Sequence, residues 1–141
     1  MRKLFLVLTV ILFVSCQNDD DGNENCNFLP DIGVNRTISL TLPQYSSLEF
    51  STNSVLLGGE GVLGIYVINI GGNFRAFDAA DPNRAVSNCS FLAKNGTSVT
   101  NSCNEPSSYS LLTGLSEGTA LPCPLKEYRV SVNGSELTIT N

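Results

Sequence analysis

The sequence predicts an all-β protein. After the first 16 residues, no stretch of useful length carries apolar residues at the 3.6-residue spacing of an amphipathic helix. Short apolar runs are instead separated by glycine, asparagine, serine and proline, the residues that end strands and form turns. Two pairs, Asn95-Gly96 and Asn133-Gly134, each lie between such runs and favour β-hairpins with type I′ turns.

The apolar runs between these turn signals place the strands. Residues 63–70 form the longest run, rich in β-branched side chains, which favours a central buried strand. The glycines that follow it, Gly71 and Gly72, predict a hairpin with a strand over residues 74–77. The remaining strands are expected at residues 38–42, 55–57, 91–94, 97–100, 108–112, 127–132 and 136–140.

The first 15 residues have the composition of a secretory signal. Arg2 and Lys3 precede an apolar run over residues 4–14, which is too short to span a bilayer as a stable helix. The run ends at Ser15-Cys16 and resembles a bacterial lipobox, in which signal peptidase cuts before a cysteine that becomes lipidated. We therefore expect residues 1–15 to be removed and Cys16 to anchor the protein to a membrane. An ordinary secretory signal with an incidental cysteine is the alternative.

Residues 16–27 are expected to form a flexible tether, because residues 17–25 are polar, acidic and free of apolar side chains. The segment resembles the acidic tracts behind the lipidated cysteine in surface lipoproteins of Bacteroidetes-type bacteria, which implies an outer-membrane or cell-surface location. A calcium site at Asp19, Asp20 and Asp21 is the alternative, but the spaced ligands of an EF-hand are missing.

Residues 28–141 are long enough for one domain with its own core. Removal of the signal leaves six of the eight basic residues against 13 acidic ones, a net charge near −7. Such a charge argues against nucleic acid as a partner.

Three segments of the second half carry a family resemblance. Residues 74–83 read Phe-Arg-Ala-Phe-Asp-Ala-Ala-Asp-Pro-Asn, residues 109–114 read Tyr-Ser-Leu-Leu-Thr-Gly, and residues 124–139 have the pattern Pro-Leu-x-x-Tyr-x-Val of a closing hairpin. All three resemble the Rieske iron–sulfur domain. The resemblance implies an antiparallel sandwich or barrel with a small inserted subdomain, at about residues 75–119, which carries the cluster in the family.

The cluster ligands of the family are missing from this chain. A Rieske cluster is held by two cysteines and two histidines, and the sequence contains no histidine. The residues at the matching positions are Asp81 and Asn83 for the first ligand pair and, for the second, Ser102 and Glu105 or, with a one-residue deletion, Cys103 and Pro106. At most one of four ligands is present, so we expect no cluster, no other cofactor and no metal.

The five cysteines fit an oxidising compartment, and the four that remain without Cys16 allow three pairings. Rieske proteins of the cytochrome-bc type have a disulfide that clamps their cluster loops, and the resemblance implies that Cys89 and Cys103 form it here. Cys26 would then pair with Cys123. A redox-active Cys89–Cys103 pair is the alternative, although it lacks the Cys-x-x-Cys spacing.

Little other chemistry is open to the chain. The absence of histidine excludes histidine-based catalytic triads and histidine-ligated zinc. Asp78 with Asp81 could serve glycoside hydrolysis, and Asp81 with Glu105 could hold a hard cation, but acidic loop residues are more often simply solvated. Four aromatic side chains are expected in the core, and any left exposed is a candidate for glycan or protein contact; they are Tyr45, Phe50, Tyr66 and Phe74.

The sequence therefore predicts a non-enzymatic, lipid-anchored envelope protein with a Rieske-like fold and no cluster. Its expected role is binding or structural support, with an unknown protein or glycan as partner. The alternatives are a Rieske-type electron-transfer protein and a cation- or glycan-binding surface module unrelated to Rieske domains.

Overall fold

The structure, a computed structural model, describes residues 25–141. The signal segment, Cys16 and most of the acidic tether lie outside the described residues. The elements, in chain order, are β1 (Asn35–Ser39), a 3₁₀ helix (Pro43–Glu49), β2 (Ser54–Leu57), β3 (Ile65–Ile70), β4 (Asn73–Asp78), β5 (Ala93–Asn95), β6 (Ser98–Thr100), β7 (Ser108–Ser110), β8 (Ser116–Glu117), β9 (Glu127–Asn133) and β10 (Glu136–Thr140). Over residues 25–141, no helix is long and apolar enough to cross a bilayer.

The strands form two antiparallel sheets. Six strands make the larger sheet, in the order β1-β10-β9-β4-β3-β2, and the other four make a smaller sheet in sequence order. The smaller sheet is inserted in the chain between β4 and β9, which confirms the all-β antiparallel architecture with a small inserted subdomain. The expected start of the insertion at about residue 75 falls within β4, whose residues pair with β3 and β9. The inserted segment therefore begins after Asp78.

β3 is buried on both faces, as its apolar run predicts. Ile65 and Val67 point into a core shared with β1, β9 and β10, whereas Tyr66 and Ile68 point into a second core beneath the smaller sheet. This division follows from the two-residue period of a strand, which sends successive side chains to opposite faces. β3 is thus the strand that holds the two cores together.

The two Asn-Gly hairpins form, but their turns are not of type I′. A type I′ turn needs positive φ at both central residues. The pairing of Asn95 with Ser98 makes Gly96 the first central residue, and Gly96, with φ +65°, is the only residue of that connection with positive φ. Gly134 has the same place in the second hairpin. By contrast, Gly71 and Gly72 both have positive φ, as type I′ requires.

The region around the 3₁₀ helix departs from the prediction. β1 lies three residues earlier than expected, because the backbone N–H of Leu42 turns back to the carbonyl of Ser39 and Pro43 opens the helix. The helix is fixed to the core by Leu48, which is fully buried. The prediction of a buried Phe50 is wrong: this ring follows the helix and is 64% exposed. Of the other three aromatics, Tyr66 is buried and Tyr45 and Phe74 are partly buried against the core.

Candidate functional site

The positions aligned with the first ligand pair lie directly after β4. This strand is anchored on both edges by β3 and β9, so it holds the start of the 79–92 loop in a fixed place. Opposite that loop lies the connection from β6 to β7, residues 101–107. A third segment, residues 118–126, leads into β9. The first two segments supply partners of Asp81, and the third supplies a partner of Asn83.

Asp81 is fully buried, and each of its two carboxylate oxygens accepts two hydrogen bonds. Oδ1 accepts from the backbone N–H of Asn83 at 2.9 Å and from the hydroxyl of Tyr109 at 2.6 Å. Oδ2 accepts from Nε of Arg84 at 2.9 Å and from Nδ2 of Asn101 at 2.5 Å. Burial of a charge requires such partners, and the guanidinium of Arg84 also supplies the opposite charge. Asp81 therefore serves as the centre of a satisfied polar network.

Asn83, at the other position of the first pair, extends this network. Its Nδ2 donates to the hydroxyl of Tyr109 at 2.8 Å and to the carbonyl of Cys123 at 2.7 Å. Its Oδ1 accepts from the backbone N–H of Cys123 at 3.0 Å. The pKa of Tyr109 is raised well above its usual value, mainly by burial and secondly by the hydrogen bond to Asp81. The hydroxyl therefore keeps its proton and remains a donor to Asp81.

The second motif contributes differently from either alignment. Ser102, Glu105 and Pro106 are exposed, and Cys103 is bonded to Cys89. The residue that reaches Asp81 from this loop is Asn101, which neither alignment singles out. Glu105 takes part only through its backbone carbonyl, which accepts from Nη2 of Arg84 at 2.9 Å.

Both disulfides expected from the sequence are present. Cys89 and Cys103 have their Cα atoms 4.9 Å apart, and Cys26 and Cys123 have theirs 5.5 Å apart. Both separations lie in the usual range for a disulfide. The first bond joins the 79–92 loop to the β6–β7 loop, and the second joins the start of the described chain to the segment before β9.

The donors at these positions do not fit a Rieske cluster. Two thiolates and two imidazoles are needed. The side chains at the first pair of positions are instead the buried carboxylate of Asp81 and the partly buried carboxamide of Asn83, and both are already occupied by hydrogen bonds. A hard-cation site at Asp81 and Glu105 is also contradicted, because the guanidinium of Arg84 occupies Asp81 and Glu105 points to solvent. In the part of the chain that the structure describes, no three potential metal-ligating side chains converge.

Asp78 is a second buried carboxylate with a separate set of partners. Its Oδ2 accepts from the backbone N–H of Val62 at 2.7 Å and the hydroxyl of Tyr128 at 2.8 Å. Its Oδ1 accepts from the backbone N–H groups of Leu63 and Ala80. The pKa of Tyr128 is raised mainly by burial and, to a smaller extent, by the hydrogen bond from its hydroxyl to Asp78.

The pairing of Asp78 with Asp81 for glycoside hydrolysis is therefore wrong. A catalytic carboxyl group must lie within hydrogen-bonding reach of its substrate, and both of these are fully buried. They fix loops to the sheet instead.

Sequence reasoning missed three residues of the network around Asp81, namely Arg84, Asn101 and Ser107. A signal existed for Arg84, because a basic residue three positions after an acidic one in a loop can fold back onto it. The sequence gives no comparable signal for Asn101 and Ser107, because their role depends on how the β6–β7 loop closes. In that loop, Oδ1 of Asn101 accepts a hydrogen bond from the backbone N–H of Ser107 at 3.3 Å.

The surface above this network is polar and open. Arg84, whose side chain is 31% exposed, lies between two cavities of about 360 and 490 Å³. Glu105 lines both of them, and the Cys89–Cys103 bond lines the larger. The groups that face solvent here are the charged side chains of Arg84 and Glu105 and the Cys89–Cys103 disulfide.

Comparison with known proteins gives similarity only at the level of the fold. No protein-family model matches the chain, and no curated protein matches its sequence. Similar solved structures include a complex of reduced oxygenase and oxidized ferredoxin in carbazole 1,9a-dioxygenase, with 14% identity over 74% of this chain and 92% of that one, and a TM-score of 0.46. The Sphingomonas yanoikuyae B1 ferredoxin has 20% identity over 74% of this chain and 99% of its own, with a TM-score of 0.45. The ferredoxin of carbazole 1,9a-dioxygenase from Nocardioides aromaticivorans IC177 has 19% identity over 77% and 97%, with a TM-score of 0.43.

Proposed function

We propose that this protein is a lipid-anchored protein of the cell envelope whose Rieske-like domain works without a cluster, as a binding or structural module and not as an enzyme. The observation that carries the proposal is the burial of Asp81, at a position aligned with a cluster ligand, beneath four hydrogen-bond donors. A carboxylate in this state has no lone pair directed at a metal.

Physical connections between the same two loops support this reading. The positions aligned with the two ligand pairs lie in the 79–92 loop and in the β6–β7 loop, which a cluster would join. Here Asp81 bonds to Asn101, Arg84 bonds to the carbonyl of Glu105, and Cys89 bonds to Cys103. A hydrogen bond to a charged group contributes about 1.5–3 kcal/mol, and a disulfide closing a loop of this length contributes about 3 kcal/mol. The loops are thus held in place without metal.

The test is the iron content of protein produced together with the full iron–sulfur assembly machinery. We expect a colourless protein without stoichiometric iron or acid-labile sulfide. The variant Cys89→Ser, which frees the thiol of Cys103, should be colourless as well, because one thiolate cannot replace four ligands. A brown protein with a Rieske-type paramagnetic signal on reduction would reject the proposal and support electron transfer instead.

The anchor is proposed from the lipobox-like end of the signal at Ser15-Cys16 and the acidic tract behind it. The outer membrane or cell surface is the proposed location. Cys16→Ser should move the protein to the soluble fraction or leave the signal uncut. Ser15→Ala keeps a small residue before the cysteine and should fractionate with membranes like the wild type. If the Cys16→Ser variant remains with the membranes at unchanged mass, the lipid anchor is wrong.

A further inference from the structure

A polar cleft of about 500 Å³ lies where the two sheets meet at the edge of the molecule. One wall is formed by the end of the 3₁₀ helix, the turn that follows it and the edge strand β2. The other wall is the β5–β6 hairpin. The side chains that supply its polar groups are Ser47, Thr52, Asn53, Lys94 and Thr97. None of them belongs to the network around Asp81, so this is a separate feature of the surface.

The turn in the first wall has an unusual backbone. The N–H of Asn53 donates to the carbonyl of Phe50, which closes a four-residue turn. Thr52, the third residue of this turn, has φ +68°, a conformation in which glycine or asparagine is usual and a β-branched residue is a rare exception. Such a residue persists only where the surroundings hold it, and these sites are concentrated at binding and catalytic surfaces. The N–H of Thr52 is held by the carbonyl of Asn69 at 2.7 Å.

The same turn begins with the most exposed large apolar side chain in the described residues. Phe50 is 64% exposed, although the 3₁₀ helix that precedes it packs against β2 and β3. An exposed aromatic ring costs solvation free energy, and isolated cases are common. Phe50 is not among the residues that line the cleft, but it begins the four-residue turn that supplies Thr52 and Asn53 to the cleft wall.

The opposite wall carries an ammonium group without an acidic partner. Nζ of Lys94 donates to the carbonyl of Ser54 at 2.9 Å, which fixes it across the cleft. Within residues 25–141, Lys94 forms no salt bridge, although the chain is acidic overall. An ammonium has three N–H donors, so two remain for a ligand.

These groups together match one class of ligand. Hydroxyl and amide side chains exchange hydrogen bonds with the hydroxyls of a sugar, an aromatic ring packs against its apolar face, and an ammonium pairs with its acidic group. We propose that this cleft binds an acidic saccharide, with Lys94 at the carboxylate or sulfate and with Phe50, in the adjoining turn, against a sugar ring that extends beyond the cleft. The inference rests on the proposed function for the binding role and names the class of ligand.

The test is calorimetric titration of the mature chain with trigalacturonate, a carboxylated probe, and with a sulfated trisaccharide of similar size. Saturable binding of either probe supports the site, and their ratio shows which acidic group is preferred. Lys94→Gln and Phe50→Ala should each weaken binding about tenfold, the equivalent of one lost contact of about 1.4 kcal/mol. Lys126→Gln removes the same charge on a lysine that pairs with Asp31 instead, and should leave binding unchanged. Thr52→Gly should weaken binding while preserving or raising the melting temperature, because it relieves the backbone conformation.

Three outcomes would overturn the inference: no saturable binding of either probe at millimolar concentration, equal binding of uncharged maltotriose, or unchanged affinity in both Lys94→Gln and Phe50→Ala. Retained melting temperatures show that the variants are folded. A colourless protein that binds neither probe rejects the saccharide site alone. A brown protein that binds them rejects the cluster-free proposal alone.

Discussion

The hydroxyl of Tyr109 donates a 2.6 Å hydrogen bond to Oδ1 of Asp81, and both side chains are fully buried. The bond joins β7 in the smaller sheet to the loop that follows β4 in the larger one. Tyr128 and Asp78 form a second pair of the same kind, at 2.8 Å. Each buried carboxylate thus has one tyrosine as a partner, and each pair connects segments far apart in the sequence.

Tyr109→Phe should destabilise the protein by about 1.5–3 kcal/mol, the contribution of a hydrogen bond to a charged group. The change removes only the hydroxyl, which leaves Asp81 with three donors and takes one acceptor from Asn83. The free energy of unfolding in urea measures the effect. Tyr45→Phe is the matched control, because the Tyr45 hydroxyl makes no hydrogen bond to any residue the structure describes, and it should change stability by less than about 0.5 kcal/mol. Equal effects in the two variants would show that the Tyr109–Asp81 bond contributes nothing to stability.

Stability should fall as the pH rises above about 10, the usual pKa of tyrosine. Burial raises the pKa of Tyr66, Tyr109 and Tyr128 in the folded state. Above the unfolded pKa the unfolded chain has released these protons while the folded chain still holds them. The unfolded state therefore binds fewer protons, and a further rise in pH favours it over the folded state. Each such tyrosine then lowers the free energy of unfolding by about 1.4 kcal/mol per pH unit, until its folded pKa is reached.

Unfolding free energies measured at a series of alkaline pH values test this slope. Tyr128→Phe removes one of the three groups and should make the decline shallower by one tyrosine's share. A decline that is as steep in this variant as in the wild type would assign the alkaline transition to other groups.

The two disulfides should differ in their contribution to stability. In the chain-entropy model, a cross-link over about 15 residues contributes about 3 kcal/mol and one over about 100 residues about 4.7 kcal/mol. Cys89 and Cys103 are separated by 14 positions, whereas Cys26 and Cys123 are separated by 97. Replacing both cysteines of a pair by serine should therefore cost more for Cys26–Cys123. Chemical denaturation of the two double variants provides the comparison, and the reverse order would mean that loop contacts, not chain entropy, dominate.

Gly61→Ala should be much more damaging than Gly59→Ala. Both glycines have positive φ and lie in the connection between β2 and β3, so both substitutions add about 1–2 kcal/mol of backbone strain. A Cβ atom at Gly61 would lie 2.5 Å from Oδ2 of Asp78 and 2.9 Å from the hydroxyl of Tyr128, whereas one at Gly59 would meet nothing within 4 Å. The collision should add a further 1–3 kcal/mol, roughly the cost of overpacking. Thermal unfolding of the two variants side by side measures the difference, and similar melting temperatures would contradict the packing of Asp78 described above.

The sequence by itself determined the features that depend on neighbouring residues. Strand periodicity and the glycine-rich turns specify β3, β4 and the last hairpin, because side-chain alternation and turn geometry act within a few residues. The family motifs extended this to the inserted subdomain and to the Cys89–Cys103 bond, and the cysteine count then assigned Cys26 to Cys123. The absence of histidine is likewise a property of the sequence alone.

Only the tertiary structure decided which residues meet at the positions aligned with the ligand pairs. Asn101 reaches Asp81 because the β6–β7 loop closes over the 79–92 loop, and no local pattern encodes a contact between residues 20 positions apart. The exposure of Phe50 could not be predicted either, because its ring is apolar and only the placement of the 3₁₀ helix against the sheet leaves it in solvent. Burial and hydrogen-bond partners are set by the packing of distant segments, which is why the polar network and the cleft emerge only when the two sheets are brought together.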